Sequence, residues 1–122
     1  MHLRDFMKMK NWVVIGDVDN PLKYAYQIRN ELKEKGYKVY GVHPKGTGFT
    51  YKSMKDINGT IDIVDLCINP IDGLDYIKEI VELGIKYVLI QPGAGSEKII
   101  SYLEQNKVVV LEGCALVGIR LY

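Results

Sequence analysis

Cysteine is scarce in this sequence, and the two that occur, Cys67 and Cys114, lie far apart along the chain. Two such cysteines indicate reduced thiols rather than a disulfide framework. Long apolar runs are also missing, because no stretch approaches the roughly 18 residues that a membrane-spanning helix needs. Residues 1–10 contain no apolar stretch of signal-peptide length either. These absences predict a soluble protein of the cytoplasm with no membrane partner.

An excess of one charge is missing as well. The chain has 16 lysines and arginines against 15 aspartates and glutamates, which leaves a net charge of +1. No global field therefore attracts nucleic acid, and any preference for anions must come from a local site. Histidine is limited to His2 and His43, which lie too far apart in the sequence to suggest a metal cluster. We expect neither nucleic acid nor a metal ion as a partner.

The length of 122 residues predicts one domain that can bury a core. The apolar fraction of 48% and the charged fraction of 25% are ordinary for a globular protein. We expect residues 1–10 to form a loosely ordered arm or a short surface turn, and residues 11–122 to form the domain.

Five short apolar runs, separated by segments of helical spacing, indicate the fold. The runs cover 12–15, 37–42, 63–68, 87–90 and 108–111. Continuous apolar runs of this length fit strands that are buried on both faces of a parallel sheet. The pattern predicts an α/β fold with a single Rossmann-like, doubly wound, parallel five-stranded sheet. By analogy with that fold we expect the strand order 3-2-1-4-5. We expect the apolar tail at 115–121 either to pack on the core or to form part of a dimer interface. In the second case the protein would be a homo-oligomer.

The first candidate loop begins with Gly16, directly after the first apolar run. Asn20 can cap the following helix, with Pro21 at its first position, and the free N–H groups there suit a phosphate. In such a sheet the ligand crevice lies beyond the carboxyl ends of the strands, here expected near the first and fourth. The G-x-G-x-x-G fingerprint is missing, and Asp17 and Asp19 would repel a pyrophosphate unless they point away or act as caps.

The second candidate loop is His43, Pro44 and Lys45, after the second apolar run. A dinucleotide-binding protein that uses NAD places an acidic residue here, to bind the ribose 2′-hydroxyl. A cation at this place instead favours a phosphorylated ribose. NADP carries that phosphate on the 2′-oxygen and coenzyme A on the 3′-oxygen, and the residues alone do not separate these two ligands.

An ordered series of motifs gives the chain a family resemblance. The motifs are Val14-Ile15-Gly16, Asp19-Asn20-Pro21, Lys23-Tyr24, Gly36-Tyr37-Lys38-Val39-Tyr40, Val42-His43-Pro44-Lys45, Asp65 to Asn69-Pro70, Gln91-Pro92-Gly93-Ala94, Ser96-Glu97 and Gly113-Cys114. In this order they resemble the small stand-alone CoA-binding domain proteins. Those proteins are similar to the CoA-binding domain of the succinyl-CoA synthetase α-subunit and of ADP-forming acyl-CoA synthetases. The resemblance covers 11–121.

The resemblance implies a coenzyme A site and a place for each part of the ligand. The loop with Lys23 would approach the pyrophosphate, and Lys45 would flank the 3′-phosphate. Many relatives have a small hydroxyl-bearing turn where this chain has Gly16-Asp17-Val18, so one polar contact to phosphate departs from the pattern. The implied cofactor-binding residues are Gly16, Asp17, Val18, Asn20, Lys23, Tyr24, His43, Pro44, Lys45, Asn69, Pro70, Gln91, Pro92, Gly93, Ala94 and Cys114.

The leading hypothesis is a module that binds coenzyme A or an acyl-CoA, in a binding or regulatory role. No catalytic residue is predicted, since neither histidine has an evident base partner and no Ser/His/Asp or Cys/His series is present. In the similar ligases a histidine outside the CoA-binding domain carries the phosphate, so we expect no catalytic activity from this chain by itself. One alternative is an NAD(P)-binding oxidoreductase or redox sensor. Another is an interaction domain with a vestigial crevice.

Overall fold

One parallel sheet of five strands runs through the centre of the molecule. The computed structural model describes residues 1–122. The strands are β1 (Asn11–Ile15), β2 (Lys38–Val42), β3 (Ile63–Leu66), β4 (Tyr87–Ile90) and β5 (Val109–Glu112), and every neighbouring pair is parallel. In the register of β1, Trp12 lies opposite Val39 of β2 and opposite Ile63 of β3. The predicted α/β class and the doubly wound parallel sheet are confirmed.

The strand order is β2-β1-β3-β4-β5, so the predicted order 3-2-1-4-5 is wrong. The reason lies at the outer edge of β2, which the segment after it already occupies. Tyr51 donates its N–H to the Gly41 carbonyl, and its own carbonyl accepts from the N–H of His43, both at 2.9 Å. The third strand therefore pairs with β1 instead. The winding direction reverses between β1 and β3, rather than between the first and fourth strands.

Helices cover both faces of the sheet. They are α1 (Leu3–Phe6), α2 (Tyr24–Glu34), α3 (Pro70–Glu82), α4 (Glu97–Gln105) and α5 (Ala115–Leu121), with a short 3₁₀ turn at Met54–Asp56. The side chain of Ser96 accepts a hydrogen bond from the N–H of Ile99 and caps α4 as predicted. Asn69 caps α3 in the same way, by accepting from the N–H groups of Ile71 and Asp72.

The start of α2 differs from the prediction. The helix begins at Tyr24, with Lys23 as its N-cap residue, rather than at Pro21. The side-chain oxygen of Asn20 accepts from the N–H of Leu22 at 3.0 Å. Asn20 therefore closes a tight turn before the helix, as asparagine commonly does in loops, and the predicted capping role is wrong.

Two apolar layers, one on each face of the sheet, form the core. Alternate residues of β1 point to opposite layers: Val13 and Ile15 face the layer with α3 and α4, whereas Trp12 and Val14 face the layer with α2 and α5. Burial on both faces explains why the strands are continuous apolar runs rather than alternating ones.

The two chain ends pack on the second of these layers. Phe6 in α1 is fully buried, the indole N–H of Trp12 donates to the Met9 carbonyl at 2.8 Å, and the Tyr37 hydroxyl donates to the Met7 carbonyl. Residues 1–10 are therefore held against the core rather than loosely ordered. The apolar tail forms α5, with Ala115 and Ile119 buried, so it packs on the core. The domain boundary between residues 10 and 11 stays a prediction.

Candidate functional site

A cleft of about 450 Å³ opens at the carboxyl edge of the sheet, at the place where the winding reverses. Loops that follow four different strands, β1 to β4, contribute to its walls. The lining residues are Asp17, Lys23, Tyr24, Ala25, His43, Cys67, Ile68, Asn69, Asp72, Gln91, Pro92, Gly93 and Ala94. Doubly wound sheets bind their ligands at this kind of crevice. The cleft is therefore the candidate functional site.

Charge is distributed unevenly along this cleft. Lys23 follows β1 and His43 follows β2, at one end. The lining residues that follow β3 and β4 include no cation, and Asp72 is their one carboxylate. Asp17 lies at the cationic end, where one of its oxygens accepts from the side-chain amide of Asn20 at 3.4 Å. Lys23 is the one lysine or arginine among the lining residues, so an anionic group of an elongated ligand would contact this end of the cleft.

Gly16 lets β1 run close to its neighbours at the start of the cleft. A Cβ atom on this residue would lie 2.5 Å from the Cys67 carbonyl oxygen and 2.9 Å from the Cβ of Ala25. Val18, two residues further on, is fully buried, and Gly41 of β2 has no room for a Cβ beside its side chain. The loop after β1 is thus held by packing, and any ligand contact by Val18 must involve its backbone.

His43 is oriented by its own loop. The backbone N–H of Lys45 donates to its Nδ1 at 3.2 Å. Because Nδ1 accepts, the neutral ring carries its proton on Nε2, as a donor. Pro44 and Lys45 are exposed and lie just outside the residues that line the cleft.

Asp19 ties the segment after β2 to the segment after β1. Its carboxylate accepts from the Thr50 hydroxyl at 2.7 Å and the Thr47 hydroxyl at 3.1 Å, and it pairs with Arg29 at 3.3 Å. The hydrogen bond from Thr50, more than those from Thr47 and Arg29, lowers the pKa of Asp19. The sequence predicted that Asp19 would repel phosphate unless it pointed away or acted as a cap, and in the structure its charge has three partners.

We expect Asp19→Ala to loosen the 46–51 segment without unfolding the protein. Amide hydrogen exchange of Thr50 and Tyr51 should accelerate by about tenfold, because local opening no longer breaks the bonds to Asp19. Asp56→Ala is the control, since Asp56 is exposed on the same connection. Unchanged exchange in Asp19→Ala would contradict this role. The depressed pKa means that the tie is present above the ordinary carboxyl pKa and is lost as the pH falls through the lowered one.

Buried polar side chains lie at the end of the cleft that follows β3 and β4. Gln91 accepts from the N–H of Ala115 at 2.5 Å and donates its amide to the Cys114 sulfur at 3.5 Å. Burial, with smaller contributions from Asp65 and Cys114, raises the pKa of the Cys67 thiol to about 12. Cys67 is therefore a neutral thiol at physiological pH, which makes it a poor nucleophile. Neither carboxyl oxygen of Asp65, two residues earlier on β3, has a hydrogen-bond partner.

The structure brings together many of the residues singled out from the sequence. Those that line the cleft are Asp17, Lys23, Tyr24, His43, Asn69, Gln91, Pro92, Gly93 and Ala94. Those that are not among the lining residues are Gly16, Val18, Asn20, Pro44, Lys45, Pro70 and Cys114. The lining residues that were not singled out are Ala25, Cys67, Ile68 and Asp72. Asp72 follows the capping Asn69 by one helical turn, and that spacing could have identified it.

No three His, Cys, Asp or Glu side chains come together in a geometry that could hold a metal ion. No helix is long and apolar enough to cross a membrane.

Comparison with solved structures supports the architecture. A hypothetical protein from Pyrococcus horikoshii OT3 superimposes with a TM-score of 0.89 at 24% identity, over 95% of this chain and 86% of that one. A conserved hypothetical protein from Pyrococcus furiosus gives a TM-score of 0.81 at 29% identity, over 92% of this chain and 99% of that one.

A larger protein contains the same fold as one part. The dinucleotide-forming acetyl-coenzyme A synthetase 1 of Ca. Korarchaeum cryptofilum, solved in complex with phosphate and ADP, matches with a TM-score of 0.71 at 19% identity. The match covers 88% of this chain but 27% of that one. A family model described as CoA binding domain matches residues 10–120, nearly the whole chain. The chain therefore belongs to the CoA binding domain family.

Proposed function

We propose that this chain binds coenzyme A or an acyl-CoA in the cleft at the carboxyl edge of the sheet, as a binding or regulatory module. The observation that carries the proposal is the polarity of the cleft. Coenzyme A has its phosphates at one end and a neutral pantetheine arm at the other. Lys23 and His43 lie at one end of the cleft, whereas the lining residues after β3 and β4 include no cation.

This polarity suggests how the ligand lies. Lys45, exposed beyond the β2 end, would pair with the 3′-phosphate of the adenosine. Lys23 and the loop that starts at Gly16 would hold the pyrophosphate. The pantetheine arm would then pass Asn69 and Pro70 and end along Gln91-Pro92-Gly93-Ala94. Family membership supports this choice of ligand.

We propose no chemistry for the chain by itself. The Cys67 thiol is kept neutral by burial, and the Nδ1 of His43 accepts from a backbone N–H rather than being paired with a carboxylate. NADP is the second candidate ligand, since the Lys45 cation could also pair with a ribose 2′-phosphate. No acidic residue stands at that place, which argues against plain NAD.

Calorimetric titration tests the ligand. We expect Lys45→Glu to weaken coenzyme A binding by about tenfold or more, because a charge-assisted hydrogen bond is replaced by repulsion. Lys78→Glu, which makes the same change at an exposed site on α3, should have a much smaller effect.

Three ligands separate the candidates in the same experiment. Coenzyme A should bind more tightly than dephospho-CoA, which lacks the 3′-phosphate. Equal affinity for the two would remove the role given to Lys45. Tighter binding of NADP would favour the second candidate, and no binding of coenzyme A at millimolar concentration would refute the proposal.

A further inference from the structure

The end of the cleft formed by the loops after β3 and β4 carries a negative charge. Asp72, in the first turn of α3, places a carboxylate there, and one of its oxygens accepts from the side-chain amide of Asn69 at 2.6 Å. Ile71, the residue before it in α3, is 81% exposed but is not among the lining residues. Pro92, on the loop after β4, is exposed as well. This end thus combines one fixed negative charge with apolar surface.

From this arrangement we infer that the site selects acyl-CoA thioesters whose acyl group is uncharged and apolar, and discriminates against those that end in a carboxylate. The inference rests on the proposed function and on the ligand orientation given there. The acyl group extends from the end of the pantetheine arm, and that arm lies along the loops after β3 and β4. The end of the acyl chain then lies near Asp72 and Pro92.

The discrimination has two physical sources. A terminal carboxylate would meet the like charge of Asp72 with no cation among the lining residues after β3 and β4 to compensate it. A terminal methyl group instead covers apolar surface of Pro92 that is otherwise exposed to water. Lys23, the lining cation at the opposite end, would be engaged by the phosphates and would not reach the acyl group.

Butyryl-CoA and succinyl-CoA form a matched pair for the test, because their four-carbon acyl groups differ in a terminal methyl against a carboxylate. Calorimetry should show butyryl-CoA binding about fivefold more tightly than succinyl-CoA, the effect expected of one partly exposed charge pair. Asp72→Asn keeps an oxygen that can accept from Asn69 and should reduce the ratio to within about twofold. Asp75→Asn, one turn further along α3 and outside the cleft lining, should leave the ratio unchanged.

A second variant tests the apolar contribution. Butyryl-CoA should bind more tightly than acetyl-CoA by about threefold, because part of two methylene groups is buried, and Pro92→Ser should remove this preference. Equal affinity of the protein for butyryl-CoA and succinyl-CoA would overturn the inference while leaving coenzyme A binding intact. An unchanged ratio in Asp72→Asn would overturn it too. Failure of coenzyme A itself to bind would refute the proposed function as well.

Discussion

Gly16→Ala is expected to lower the free energy of unfolding by about 3 kcal/mol, a large effect for one added methyl group. The new Cβ would lie 2.5 Å from the carbonyl oxygen of Cys67 and 2.9 Å from the Cβ of Ala25. Both neighbours are parts of regular packing, namely the end of β3 and the first turn of α2. The clash can be relieved only if one of these elements moves, since no flexible side chain is available to yield.

Gly113→Ala is the matched control for this variant. Gly113 also follows a strand at the carboxyl edge of the sheet, but the nearest atom to its added Cβ would be Leu89 Cδ1 at 3.8 Å, an ordinary contact. Urea unfolding monitored by circular dichroism should show a lower midpoint for Gly16→Ala and little change for Gly113→Ala. Equal stability of the two variants would show that β1 and β3 can separate at the cleft at little cost.

Asp65→Asn is expected to stabilise the protein at neutral and alkaline pH. The Asp65 side chain is fully buried among apolar neighbours, lying opposite Val14 and Leu89 in the sheet, and its oxygens have no partner. Burial raises its pKa well above the ordinary carboxyl value. The folded protein therefore retains a proton that the unfolded chain releases. An asparagine side chain does not ionise, so it adds no such difference between the two states.

The sign of the pH dependence follows from this difference in bound protons. Between the ordinary carboxyl pKa and the raised pKa of Asp65, the native state binds more protons, so stability falls as the pH rises. The slope of this contribution is about 1.4 kcal/mol per pH unit. The advantage of Asp65→Asn over the wild type should thus grow with pH between these two pKa values.

Thermal and urea unfolding from pH 4 to pH 8 would measure this advantage directly. The difference between the variant and the wild type isolates Asp65, because other carboxylates such as Asp19 titrate in both proteins. Asp75→Asn, an exposed substitution of the same kind, should show no growing difference. A stability difference that stays constant with pH would mean that the Asp65 carboxyl finds a partner or ionises without penalty.

Much of the fold was predictable because burial on both faces leaves a clear pattern. The fourth strand, Tyr87–Ile90, has the predicted bounds, and Ser96 caps the following helix as expected. The strand order was not predictable in this way. It depends on the backbone pairing of Tyr51 with the edge of β2, and main-chain hydrogen bonds leave no residue pattern in the sequence.

The candidate site was predictable in outline, since loops after parallel strands always meet at one edge of a sheet. Its details depended on local choices that the sequence leaves open. Asn20 followed by Pro21 suits both a helix cap and a tight turn, because the same side-chain oxygen accepts in either case. The lack of a partner for Asp65 was equally hidden, because a continuous apolar run shows that its residues are buried but not whether a polar one among them finds a partner.

Gln91 gives the two sides of the cleft different mechanical properties. Its side chain is 6% exposed and accepts a hydrogen bond from the N–H of Ala115 at the start of α5. Rotation of this side chain toward a ligand would leave that buried N–H without a partner, at a cost of about 1–3 kcal/mol. The opposite side, with Lys23, Tyr24 and Lys45, consists of exposed side chains that can reorient freely. An entering molecule therefore meets one stiff wall, which sets its position, and one compliant wall, which adapts to its shape.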